Sequence, residues 1–171
     1  IELFFSGYYL QQRRIVGVEW ELERPVLANF NFTSGGVPQS GDESAVLIST
    51  ATAEQLRVGV GDQLVVSIRS DRGRTNTGEL IVSGIFAESS FFGYQTYVQR
   101  RTLNRLREVP EERVNEIGVY LENPIASEDR AAAALAAELQ QRLPTFGLMQ
   151  TREAYESASR AKREQREYGV V

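Results

Sequence analysis

The chain has 171 residues with no cysteine, no histidine and one lysine, Lys162, among 19 basic residues, which removes disulfides, thiolate and imidazole chemistry and nearly all lysine chemistry. A net charge of −4 offers no basic surface to nucleic acid. With 42% hydrophobic and 25% charged residues it can build one sizeable core or two small ones, and it contains no apolar run of about 18 residues to span a bilayer.

In chain order, Ile1 to Leu10 and Arg13 to Glu21 read as two strands joined by a tight polar connection at Gln11-Gln12, with Val16, Val18 and Trp20 alternating. Glu23 to Gly41, broken by Pro25, Gly35-Gly36 and Pro38, reads as a connector with little regular structure, fastened to the core by Phe30 and Phe32. Val46, Leu47 and Ile48 predict a buried strand, and Ser49 and Thr50 suit the cap of a helix carrying Ala53 and Leu56. Gly59 and Gly61-Asp62 turn the chain into a strand from Gln63 to Ile68. A polar hairpin, a strand at Leu80 to Phe86, another at Thr96 to Val98 and a helix at Gln99 to Arg107 follow, the helix with Leu103 and Leu106 inward.

From Val114 the pattern predicts a strand to Leu121, a helix over Ala131 to Leu143 with Leu135, Leu139 and Leu143 on one face, and a strand at Phe146 to Met149. Thr151 to Tyr168 reads as a charged helix, with Glu156 and Arg160 at salt-bridge spacing. The first two strands and the later β-α-β unit each cover a sheet poorly, so they are expected to share one.

No residue is assigned a catalytic or metal-binding role, and no cofactor is expected. The carboxylate pairs Glu19 with Glu21 and Glu111 with Glu112 could be drawn as glycosidase acids, but they read as solvated faces. Gly59-x-Gly61-Asp62 is followed by neither lysine nor helix, so it reads as a turn and not a phosphate loop. Ser90, Phe91, Phe92 and Tyr94 are candidate partner contacts, because two adjacent phenylalanines in a Ser/Gly loop do not both face inward easily. A core anchor is the other reading, and the residues leave both open. Arg72 and Arg74, beside Asp71 and Gly73, give a second candidate: a docking hairpin, or simply a solvated tip.

Several of these segments carry a resemblance. Val46 to Ser49, Arg57 to Asp62, Val82 to Phe86, Phe92-Gly93-Tyr94 and Tyr97-Val98, with Val16 to Glu19 upstream, resemble the extracytoplasmic core domain of ABC-transporter permeases of the MacB/FtsX type, which include the lipoprotein exporters LolC and LolE. The resemblance implies an α+β fold in which residues 1–25 and 112–150 form a membrane-proximal, porter-like subdomain. Residues 26–111 would be an inserted, β-rich distal subdomain, and residues 151–171 a charged helix leading to a membrane span. It implies no enzymatic activity of the domain itself. A separate cytoplasmic ATP-binding subunit would hydrolyse ATP, and this inner-membrane protein would use the energy outside the membrane on a lipoprotein, an efflux route or a cell-envelope partner.

Ile1 in mid-strand and the apolar Gly169-Val170-Val171 after a polar helix suit a piece lying between two membrane spans. Arg69 to Glu79 is short and contains no proline, unlike the long hook of LolC, so docking of a LolA-type carrier there is not expected. The rival expectation is a free-standing small-ligand or carbohydrate-binding module using Phe91 to Tyr94. Hydrophobic spans flanking the segment in its gene would distinguish the two.

Overall fold

The structure, a computed structural model, describes residues 1–11, 14–87, 95–118 and 130–142. A two-residue turn at Ser6-Gly7, both with positive φ (46° and 90°), folds β1 (Glu2–Phe5) back on β2 (Tyr8–Gln11). This conformation suits glycine at the second position and sets Phe5 opposite Tyr8. The turn expected at Gln11-Gln12 therefore lies earlier, inside what reads as a single strand.

Next comes β3 (Val16–Val18), then a helix where the alternation predicted more strand: α1, Trp20–Leu27. Trp20 and Leu27 lie seven residues apart, two helical turns, so both point inward and both are fully buried. That burial, with the hydrogen bond from Trp20 Nε1 to the Asp42 carbonyl (2.8 Å), offsets the backbone bond that Pro25 cannot donate. The expected connector after Glu23 thus holds the rest of a helix and a short strand, β4 (Phe32–Gly35). Phe30 and Phe32 pack against the core, as expected.

The central module follows the sequence pattern closely. β5 (Ala45–Ser49) is buried at all five positions, and Ser49 caps α2 (Thr50–Leu56) by accepting from Thr52 N at 3.2 Å. Asp62 closes the glycine turn by accepting from Gly59 N at 2.8 Å, and Gly61 takes φ +93°. β6 (Gln63–Arg69), the long β7 (Thr75–Phe86), β8 (Thr96–Gln99) and α3 (Arg100–Arg107) complete it.

The strands form one mixed sheet in the order β2-β1-β6-β7-β5-β8-β3, with β4 joined to β7. Pairs β3/β8 and β5/β7 are parallel and the others antiparallel. One face buries Leu3, Leu10, Leu64, Val66, Leu80, Val82, Val46 and Val98 together with Ala53 and Leu56 of α2 and Leu103 of α3. Among the described residues the other face is covered over β3, β8, β5 and the end of β7, by Trp20, Leu27, Phe30 and Phe32. The fold is α+β in this coarse sense.

The pairings of β1 with β6 and of β3 with β8 cross the boundary expected between residues 25 and 26. β1 and β3 are short strands whose ladders need a neighbour, and the edges of β6 and β8 supply it. The chain divides into two compact units, Ile1–Val114 and Asn115–Val171. Val114 to Gly118 forms no strand, although one was expected from Val114; the remainder of that segment and Phe146 to Met149 lie outside the described residues. In the second unit the described helix is α4 (Arg130–Arg142), one residue from its predicted start, with Glu138 and Arg142 paired at 2.8 Å. No described helix is long and apolar enough to cross a membrane.

Candidate functional site

The two places where the sequence suggests a partner contact are the β6–β7 hairpin tip and residues 88–94. β7 runs unbroken between them. Its eleven residue steps from Thr75 to Phe86 span about 35 Å at strand rise. The hairpin tip and the roots of the 88–94 segment therefore stand at opposite ends of the sheet, and they cannot form one joint outer surface.

The hairpin tip is held, not free. Ser70 Oγ accepts from Arg74 N at 3.1 Å, and Gly73 takes φ +83° to close the turn. Asp71 N donates to the Arg107 carbonyl at the end of α3, and the Asp71 carboxylate accepts from Arg107 Nη2 at 3.0 Å. Arg113 Nη1 lies 3.5 Å from the same carboxylate. Arg74 pairs with Glu108, whose carboxyl is held below its ordinary range by hydrogen bonding from Arg74 first and Ser70 second. Arg74 is thus committed to a clamp between the hairpin and the C-terminal end of α3. Arg72 is exposed and makes no ion pair among the described residues.

Residues near both limits of the first unit lie at the same end. Glu2 pairs with Ser67, two residues from the end of β6, and Arg113 reaches Asp71 at the tip.

At the opposite end the roots of residues 88–94 are aromatic. Phe86 and Tyr97, just before and after the segment, have ring centroids 5.8 Å apart, and Phe30 packs on both at 4.9 and 5.4 Å. Ala87 N donates to the Asn31 carbonyl at 2.8 Å, and Thr50 Oγ1 to the Phe86 carbonyl at 3.1 Å. Both roots are therefore rigidly placed. Ser90, Phe91, Phe92 and Tyr94 lie outside the described residues.

Of the carboxylates that could be drawn as acids, Glu19 and Glu111 have structural partners. Glu19 accepts from Arg100 Nη2 at 2.5 Å and from Gln99 Nε2 at 3.0 Å. Glu111 lies 3.8 Å from Arg105. Among the described residues no three Asp or Glu side chains gather as metal ligands would.

One surface feature was not anticipated from the sequence. On the uncovered half of the sheet, Tyr9 pairs with Phe4 and Phe4 with Val65, and Ile81 lies diagonal to Val65. These four are 65%, 37%, 37% and 44% exposed, and the Phe4 and Tyr9 rings stack at 6.2 Å. Phe4-Phe5 and Tyr8-Tyr9 astride a Ser-Gly turn were the signal: adjacent residues in a strand face opposite ways, so one of each pair points outward.

No known protein-family model matches this chain, and no curated protein matches it.

Proposed function

We propose that this chain is a non-catalytic extracytoplasmic domain of an ABC-transporter permease subunit of the MacB/FtsX type. In this reading residues 112–150 belong to a membrane-proximal, porter-like subdomain and residues 151–171 lead to a span. The ATP-binding subunit is cytoplasmic and separate. The domain passes the resulting movement to a lipoprotein or another envelope partner.

The observation that supports this best is the polarity of the first unit. Glu2 and Arg113, near the two limits of that unit, both lie at the hairpin end, where Asp71 ties Arg107 and Arg113 together. The 88–94 segment departs from a braced aromatic base at the other end. A relay needs this layout, with one end tied to the moving part and the other end offered to a partner. Apart from Phe92-Gly93-Tyr94, outside the described residues, the motifs behind the resemblance fall on β3, β5, the turn before β6, the end of β7 and β8, which are contiguous parts of one sheet.

The test is made in the full-length gene product. It should fractionate with membranes and co-purify with an ATP-binding subunit. Phe91→Ala or Phe92→Ala should then reduce transport about tenfold or more, as for an aromatic contact residue, with an unchanged melting temperature. A product without membrane spans that binds a small ligand or carbohydrate instead would overturn the proposal.

A further inference from the structure

Among the described residues β2 ends the sheet, and no strand pairs with its outer edge. Because the Ser6-Gly7 turn makes Phe5 and Tyr8 a hydrogen-bonded pair, the alternation leaves Phe4 with Tyr9, and Glu2 with Gln11, as non-hydrogen-bonded pairs. The N–H and C=O groups of Tyr9 and Gln11 therefore point away from β1. Among the described residues no other backbone group bonds to them.

Natural edges are commonly blunted by a charge, a proline or a bulge. The sequence of β2, Tyr8-Tyr9-Leu10-Gln11, has no charge and no proline, and its register with β1 is regular.

We propose that β2 is a self-association edge, pairing antiparallel with β2 of a second copy about a two-fold axis at Leu10. In that register Tyr9 lies opposite Gln11 of the second copy and Gln11 opposite its Tyr9, so all four outward donors and acceptors of each strand are used. A second copy suits this edge for three reasons. The strand is neutral, so self-pairing sets no like charges opposite one another. The two-fold contact is self-complementary and closes at two copies. The exposed row Val65, Phe4, Tyr9 of one copy also meets Gln11 of the other with the second Tyr9 diagonal to the first, within reach of an aromatic ring, so the aromatic residues at the edge gain cover. Four-residue strands make a small interface, so the dimer is weak and concentration-dependent.

The experiment is sedimentation equilibrium of the 171-residue chain from about 1 μM to about 1 mM, a range that brackets weak association. The parent should pass from monomer to dimer. Tyr9→Lys charges the edge. Gln11→Pro removes an outward N–H without breaking a bond to β1. Each should raise the dissociation constant about tenfold or more, with far-ultraviolet circular dichroism unchanged. A parent that stays monomeric throughout, or a folded Tyr9→Lys variant that associates as the parent does, overturns the proposal. Should Gln11→Pro fail to fold, Tyr9→Lys alone decides, since that side chain is mostly in solvent.

Discussion

Gly84 shows how tightly single residues fix this fold. A Cβ there would lie 2.7 Å from the Gly36 carbonyl oxygen and 2.9 Å from both Leu47 Cδ2 and Phe32 Cε1. Leu47 is fully buried on β5, between β7 and β8, and cannot step aside. Gly84→Ala should therefore destabilise the protein by about 1–3 kcal/mol, the usual cost of overpacking, measured by urea unfolding. Glu108 makes a different test. Its carboxyl is held below the ordinary value of 4.5 by the hydrogen bond from Arg74. A lowered folded pKa gives a stabilising contribution that is fully present above the unfolded value and is lost as pH falls through the folded one. The Glu108 titration followed by NMR should thus have its midpoint below the ordinary value, and Arg74→Ala should return it upward. A midpoint that does not move in that variant would mean that the clamp is not the cause.

At the scale of elements, α3 brings distant parts of the chain together. Its Asn104 is almost fully buried, and the two hydrogens of Nδ2 are shared among the carbonyls of Pro110, Glu111 and Arg113 at 3.2, 2.9 and 2.8 Å. Arg100, in the preceding turn, bonds Glu19 and the Glu111 carbonyl, both at 2.5 Å. Asn104→Ala removes the shared donor from buried acceptors. It should cost about 1–3 kcal/mol and speed hydrogen exchange at Arg113, whose N–H bonds the Pro110 carbonyl. These ties were not legible in the sequence, where Glu19 and Glu111 read as exposed carboxylates. The central elements were legible. Val46 to Ser49 with its serine cap, the Gly-Asp turn and the hairpin are each specified by residues within a few positions of one another. The helix at Trp20 was misread because Val16, Val18 and Trp20 also satisfy the period of a strand. Only the burial of Leu27 two turns on decides between them.

For the whole molecule, the direction of β7 sets the functional reading. It separates the clamped hairpin from the roots of residues 88–94 by about 35 Å, so variants at the two ends should act independently. Combining Asp71→Asn with Phe91→Ala should give stability and transport effects that add within about 0.5 kcal/mol. Strong coupling between them would argue that one surface contains both. The sequence by itself determined the absence of cysteine and histidine chemistry and the run of strands and helices from Ala45 to Arg107. Those properties rest on composition and on contacts between near neighbours. Only the tertiary structure decided that β1 joins β6, that β3 lies parallel to β8, and that the hairpin tip and the roots of residues 88–94 stand at opposite ends of β7. Edge pairing is chosen by backbone groups that every residue shares, so side-chain pattern marks a strand without naming its neighbour.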